Sequence, residues 1–157
     1  MKLPLSRLSR LSRLPRPSAL ALALSAAACS AHVAAPPGVP VRALTADRIT
    51  LRGTASATMA NPSCSALDTG KPAHVLELPD DVRATIVLAP TPGESALPPT
   101  MLHLTHLDSN RTWCVMTQPD GTPAVLGGAF PSGQYAVSVV EARGATPRTY
   151  EVRVVKL

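Results

Sequence analysis

Aromatic side chains are nearly absent from this chain: one Trp, two Tyr and one Phe serve 157 residues. A core must therefore be built mainly from Val, Leu, Ile and Ala, which a chain of this length still suffices to bury. Cysteine is as scarce, with only Cys29, Cys64 and Cys114. Acid is missing from the N-terminal region, where no Asp or Glu precedes Asp47. The longest early apolar run, Ser18 to Ala28 (SALALALSAAA), falls short of the roughly 18 residues that a membrane-crossing helix needs. What is plentiful is proline, 17 residues, with nine glycines, and that density argues against long helices and for a chain rich in turns.

The first sixteen residues, MKLPLSRLSRLSRLPR, carry Lys2, Arg7, Arg10, Arg13 and Arg16. A basic segment, a short apolar run and small residues before a cleavage point define a secretory signal peptide, expected here over 1-28. The SRL repeats at 6–14 share the Arg- and Ser-rich, acid-free composition of an organelle transit peptide, but the abrupt apolar block after Arg16 suits export better. The leader also explains the charge. Five of fifteen basic residues lie in it, which leaves ten against ten acids, so the net +5 belongs to the segment that is removed. A formally neutral mature chain lacks the surplus of Lys and Arg that phosphate backbones require, and no nucleic-acid partner is expected.

The 129 residues from Cys29 onward fit one domain behind a short tether, read as 29-41 from the small, Pro-rich SAHVAAPPGVP that follows the cysteine. Three cysteines in an exported chain leave one over if two pair. Cys64 and Cys114 lie in the body of the domain, and an oxidising compartment favours a disulfide between them. Cys29 is then the odd one. The stretch Ala26-Ala27-Ala28-Cys29 resembles the lipobox of bacterial lipoproteins, departing from it at −3, where Ala26 stands in place of the usual Leu. The resemblance implies a lipid-modified Cys29 as first residue of the mature protein, with the membrane as partner through that anchor. By analogy with sorting in Gram-negative bacteria, Ser30 is not a retention signal, which implies an outer-membrane or cell-surface destination. Without the anchor the protein is periplasmic or secreted.

Within 42-157 the chain reads as short strands between turn residues. Ile49 and Leu51 alternate in DRITLRGTASA (47–57), HVLEL (74–78) ends at Pro79-Asp80-Asp81, and VRATIVLA (82–89) places Val82, Ala84, Ile86 and Leu88 on one face. MLHLTHL (101–107) and TWCVMTQ (112–118) flank Asp108-Ser109-Asn110-Arg111 as a hairpin, and Pro119-Asp120-Gly121 is a further turn. Near the C-terminus QYAVSVVE (134–141) and TYEVRVVKL (149–157) both alternate, and with a Gly/Pro link between them they read as an antiparallel pair with one buried face. Strands at this spacing predict an all-β domain, an antiparallel sandwich or small barrel, with the sandwich preferred.

The run FPSGQYAVSVVEARGATPRTYEVRVV (130–155) resembles the end of a bacterial pre-peptidase C-terminal domain, with Ser132-Gly133-Gln134-Tyr135 and Tyr150-Glu151-Val152 at the places of its closing strands. The resemblance covers about the last quarter of the chain, and it implies a jelly-roll-like, secreted and non-catalytic accessory domain.

Few residues point to chemistry. His103 and His106 have the HxxH spacing of a metal pair, but on a strand residues three apart face opposite ways; His74 and His32 add no spacing logic. Ser63-Cys64-Ser65 lacks the strand–turn–helix frame of a nucleophile elbow. Asp120-Gly121 and Asp108-Ser109-Asn110 are too short for a calcium loop. Trp113 beside Cys114 is expected to pack near the disulfide in the core, with a sugar-stacking platform as its other use. No catalytic residue, metal or cofactor is expected. The sequence thus points to a cell-envelope lipoprotein acting as a structural or interaction module, with another envelope protein or a glycan as partner. The other reading is a soluble secreted sandwich that binds carbohydrate or protein.

Overall fold

The computed structural model describes residues 35–65, 71–142, 146 and 148–157; the leader expected over 1-28 and the lipobox cysteine, Cys29, lie outside them. Ten strands follow one another, with no helix among the described residues: β1 (Val41–Ala43), β2 (Arg48–Thr54), β3 (Ser56–Met59), β4 (His74–Leu78), β5 (Val82–Pro90), β6 (Thr100–His106), β7 (Thr112–Met116), β8 (Ala124–Phe130), β9 (Gly133–Ala142) and β10 (Thr149–Lys156). They form two sheets. One has the order β1-β4-β9-β6-β7, with β3 added alongside β9, and the other has the order β2-β10-β5-β8. The domain is an all-β sandwich, as the strand spacing predicts. Its pairings are antiparallel except two: β1 runs parallel to β4, and β3 parallel to β9.

The period-two pattern places the core. Ala84, Ile86 and Leu88 of β5, Val152 and Val154 of β10, and Val137 and Val139 of β9 meet between the sheets. Tyr135, Tyr150 and Phe130 are the largest fully buried side chains, so nearly all the scarce aromatic volume has gone into the interior.

The C-terminal strands need a correction. β9 and β10 are not paired with each other. β9 lies in the first sheet between β4 and β6, while β10 lies in the second between β2 and β5. Both bury the faces the alternation assigns, but they face each other across the core instead of lying side by side. Alternation reports which face is buried, and two facing strands bury theirs as fully as two neighbours do. The hairpin β6–β7 is as expected, closed by the Asn110 N–H donating to the His106 carbonyl at 2.9 Å. The turn at Pro119-Asp120-Gly121 is closed by the Gly121 N–H on the Gln118 carbonyl at 3.0 Å. There the Asp120 carboxylate also accepts from the Thr122 N–H at 2.9 Å.

Part of the segment read as tether is fastened to the domain. The Val39 N–H donates to the Pro36 carbonyl at 3.3 Å, Val39 is buried, and the Pro40 carbonyl accepts from Val75 at 2.9 Å.

Cys64 and Cys114 are disulfide-bonded, with Cα atoms 5.5 Å apart. Trp113 and Val115 pack against the core, so Cys114 between them faces outward. β3 borders β9, whereas Cys114 is on β7, beyond β6. Only four residues separate Met59 from Cys64, so the chain crosses β9 and β6 on their outer side. Met101 and Val140, both on that outer face, are fully buried, and Ser138 and His103 nearly so. The outer face of this sheet is therefore strapped over. Trp113 accordingly packs on the opposite face from the disulfide, not against it.

Candidate functional site

His103 and His106 lie on opposite faces of β6, as strand geometry requires. The His103 ring faces outward, in register with Cys114 on one side and Ser138 on the other, and burial lowers its pKa from the ordinary value. His106 faces inward. Its Nδ1 accepts from the Ser109 N–H at 3.2 Å, so its Nε2 carries the proton donated to the Ser132 carbonyl at 3.0 Å. The same ring meets Tyr135 edge to face, with centroids 4.9 Å apart. Tyr135 in turn donates its hydroxyl to the Pro131 carbonyl at 2.6 Å, and burial holds that phenol up at about 12. His106 thus anchors the corner that feeds β9.

Trp113 stacks obliquely on Phe130 and Tyr135, each with centroids 5.5 Å away, and the Arg111 guanidinium lies 4.9 Å from its ring. Trp113, half-buried, is thus held in the cluster of core rings with a cation against it.

Two buried polar groups meet at the opposite edge of the sandwich. His74 at the start of β4 and Tyr150 at the start of β10 are edge to face, with centroids 6.2 Å apart. The His74 Nε2 and the Tyr150 hydroxyl are buried without hydrogen bonds among the described residues. Both lie within 3.2 Å of where a Cβ on Gly53 would be, so glycine makes the room they occupy. Burial and, less strongly, the Arg42 charge lower the pKa of His74; burial raises that of Tyr150 to about 12. Neither ring is charged at neutral pH. Outside them, Pro40, Arg42, Thr50, Leu51, Arg52 and His74 line a cleft of ≈ 330 Å³ where the N-terminal segment joins the sandwich.

The outer face of the second sheet is more exposed than that of the first: Ala89 and Glu151 are buried on it, and its other outward side chains are exposed or half-buried. Inward positions of β2, β10, β5 and β8 are apolar, so the alternate positions face out. They place Arg48, Thr50 and Arg52 on β2, Glu151, Arg153 and Val155 on β10, Arg83, Thr85 and Val87 on β5, and Val125 on β8. All four arginines are exposed, and Val125 and Val155 are 56% and 39% exposed. Glu151, the acid in this set, is paired with Arg52 at 2.7 Å. A flat surface of branched apolar side chains set among guanidinium groups is the most distinctive feature of the described surface. Its signal in the sequence is Arg at alternate positions opposite the apolar ones, which the apolar half of the alternation alone does not reveal.

No known sequence family matches this chain, and no curated protein does. Among solved structures it is similar to the pre-peptidase C-terminal domain of the collagenase from Bacillus anthracis. The two are 14% identical at a TM-score of 0.49, over 77% of this chain and 98% of that one. That domain bears the name of the family which residues 130–155 resemble. The fold described above rests on the strand pairing of this chain itself.

Proposed function

We propose that this chain is an exported cell-envelope lipoprotein whose β-sandwich is a structural or interaction module rather than a catalyst. The observation that carries the reading is the Cys64–Cys114 disulfide. A structural disulfide belongs to an oxidising compartment, in keeping with the leader over 1-28. It also uses up the two cysteines of the domain and leaves Cys29 alone at the leader boundary, in a lipobox-like setting. Diacylglyceryl modification of Cys29 would then hold the domain at the membrane by the segment up to Pro36, with the domain facing a protein or glycan of the envelope.

Mass spectrometry of the mature N-terminus tests this. The expected species begins at Cys29 and carries a diacylglyceryl group. A mature chain with unmodified Cys29, or one that begins after it, overturns the anchor and leaves the soluble secreted module.

A further inference from the structure

We infer that the arginine-bearing outer face of β2-β10-β5-β8 docks flat on a surface of anionic phospholipid headgroups. Three observations lead there. The first is charge. Arg48, Arg52, Arg83 and Arg153 stand on this one face, against Glu151, although the mature chain as a whole is formally neutral. Four of its ten basic residues are thus gathered on one side. Guanidinium groups match phosphate oxygens in paired hydrogen bonds, and their attraction to a negative leaflet adds up over several residues.

The second is shape. The face is a sheet surface with short branched side chains, Thr50, Thr85, Val87, Val125 and Val155, between the arginines. Ala89 and Glu151 are buried on it, and Arg83 and Ala129 share a cleft of ≈ 270 Å³ with Arg111; the other outward side chains are exposed or half-buried over the width of four strands, which fits an array of headgroups better than a single small anion. The acids Asp47 and Asp81 stand at one end, where β2 and β5 begin, beside Arg48 and Arg83; Arg153 lies mid-face between Thr50 and Val87, and Arg52 is paired with Glu151 towards the other end.

The third is the entry of the chain. Pro40 shares a cleft with Thr50, Leu51 and Arg52, so the N-terminal segment reaches the domain at the β2 edge of this face. The twelve residues from Cys29 to Pro40 span at most roughly 40 Å when extended. This third argument rests on the anchor proposed above; the first two do not. An anchor at Cys29 raises the local concentration of headgroups beside the face, and a weak electrostatic contact is then sufficient to orient the domain.

The test separates face from anchor by using the mature chain, residues 29–157 with Cys29→Ser, which lacks the basic leader and cannot be acylated. Its binding to vesicles of phosphatidylcholine containing phosphatidylglycerol is compared with binding to phosphatidylcholine alone. The expected result is binding to the anionic vesicles that weakens with salt, and a loss of roughly tenfold or more with Arg83→Glu and Arg153→Glu together. Lys71→Glu with Arg148→Glu, two charges that line no cleft with residues of the face, serves as the control that leaves most of the binding intact. Circular dichroism and thermal melting of both pairs show that each is folded. Equal loss in the two pairs overturns the proposal, as does binding to heparin that exceeds binding to anionic vesicles at the same salt. Binding that persists undiminished with the face reversed overturns it too. Unmodified Cys29 in the native protein bears on the anchor alone and leaves these outcomes readable.

Discussion

Cys64 is bonded to Cys114 across two intervening strands, so the disulfide holds a crossing rather than a neighbouring pair. It pins the chain that leaves β3 over the outer side of β9 and β6, where Met101 and Val140 are fully buried. The bond closes a loop with a sequence separation of 50 residues. Removing it in Cys64→Ser/Cys114→Ser is expected to cost about 2–4 kcal/mol, mostly through the unfolded chain. Beyond that global effect, hydrogen exchange at Met101 and Val140 is expected to quicken more than at Val152 and Val154 in the other sheet. Equal stability of the oxidised and reduced proteins in urea, with no local change in exchange, would show that the strap holds itself.

Gly53 and Tyr150 are cross-strand partners, and a Cβ on Gly53 would lie 2.6 Å from the Tyr150 hydroxyl. Since that hydroxyl has no hydrogen-bond partner among the described residues, the tyrosine keeps a polar atom where it gains little. Gly53→Ala is expected to destabilise by about 1–3 kcal/mol through overpacking. Tyr150→Phe is expected to fall within about 1 kcal/mol of the native protein, because the atom it deletes was unsatisfied. Combined, the two substitutions should cost less than their sum, as the oxygen that the added methyl would strike is gone. Strict additivity in a urea-denaturation cycle would place the clash elsewhere.

Much of the domain is legible in the sequence, and the failures share a cause. Strand identity is legible for β4, β5, β6, β7, β9 and β10, and the buried face follows from alternation in β5, β9 and β10; β4 and β6 are buried on both sides and carry no such alternation. Pairing does not follow. β9 and β10 alternate alike because they face each other across the interior, and no local pattern distinguishes that from lying side by side. β8 carries little signal because AVLGGAF, with Gly127 and Gly128 at its middle, has a broken alternation and lies at a sheet edge. The disulfide is legible from cysteine count and compartment. The strap it secures is not, as that depends on how far apart β3 and β7 are in the finished sheet. The arginine face is visible in the spacing of Arg48, Arg52, Arg83 and Arg153, but only strand order shows that these residues share one surface.

Glu141 lies near the end of β9 with its side chain fully buried, and neither carboxylate oxygen has a well-formed hydrogen bond among the described residues. Burial raises its pKa above the ordinary value, against a weaker opposing pull from the nearby Arg148 backbone N–H and charge. At a pH below the ordinary carboxyl range the group is protonated whether the chain is folded or not, and its contribution is complete. As pH rises through the raised folded value, the unfolded chain ionises more readily than the folded one, and stability is lost. Glu141→Gln removes that dependence. We expect it to stabilise the protein by about 1 kcal/mol or more at pH 8 and to make little difference near pH 4. A constant offset between the two proteins across urea denaturations from pH 4 to 8 would mean that Glu141 keeps its ordinary pKa.

Gly133 begins β9 at φ 133, a backbone region that side chains rarely enter, and a Cβ there would lie 2.5 Å from the His106 Nε2. That nitrogen donates to the Ser132 carbonyl, and the Ser132 N–H donates to the Asp81 carboxylate at 2.7 Å. Gly133→Ala therefore strains the backbone and pushes the imidazole off the hydrogen bond that fixes the corner. Its expected cost is about 2–4 kcal/mol, the sum of an unfavourable φ and a clash with a held ring. Gly127 in β8 is the comparison, since a Cβ there meets nothing within 4 Å. Gly127→Ala is expected to be neutral or to stabilise by up to about 1 kcal/mol by restricting the unfolded chain. Replacing His106 by Ala in the Gly133→Ala background would relieve the clash but not the backbone strain, so only part of the loss should return. Full recovery of the denaturation midpoint, relative to His106→Ala alone, would assign the whole cost to the ring; no recovery would assign it to φ.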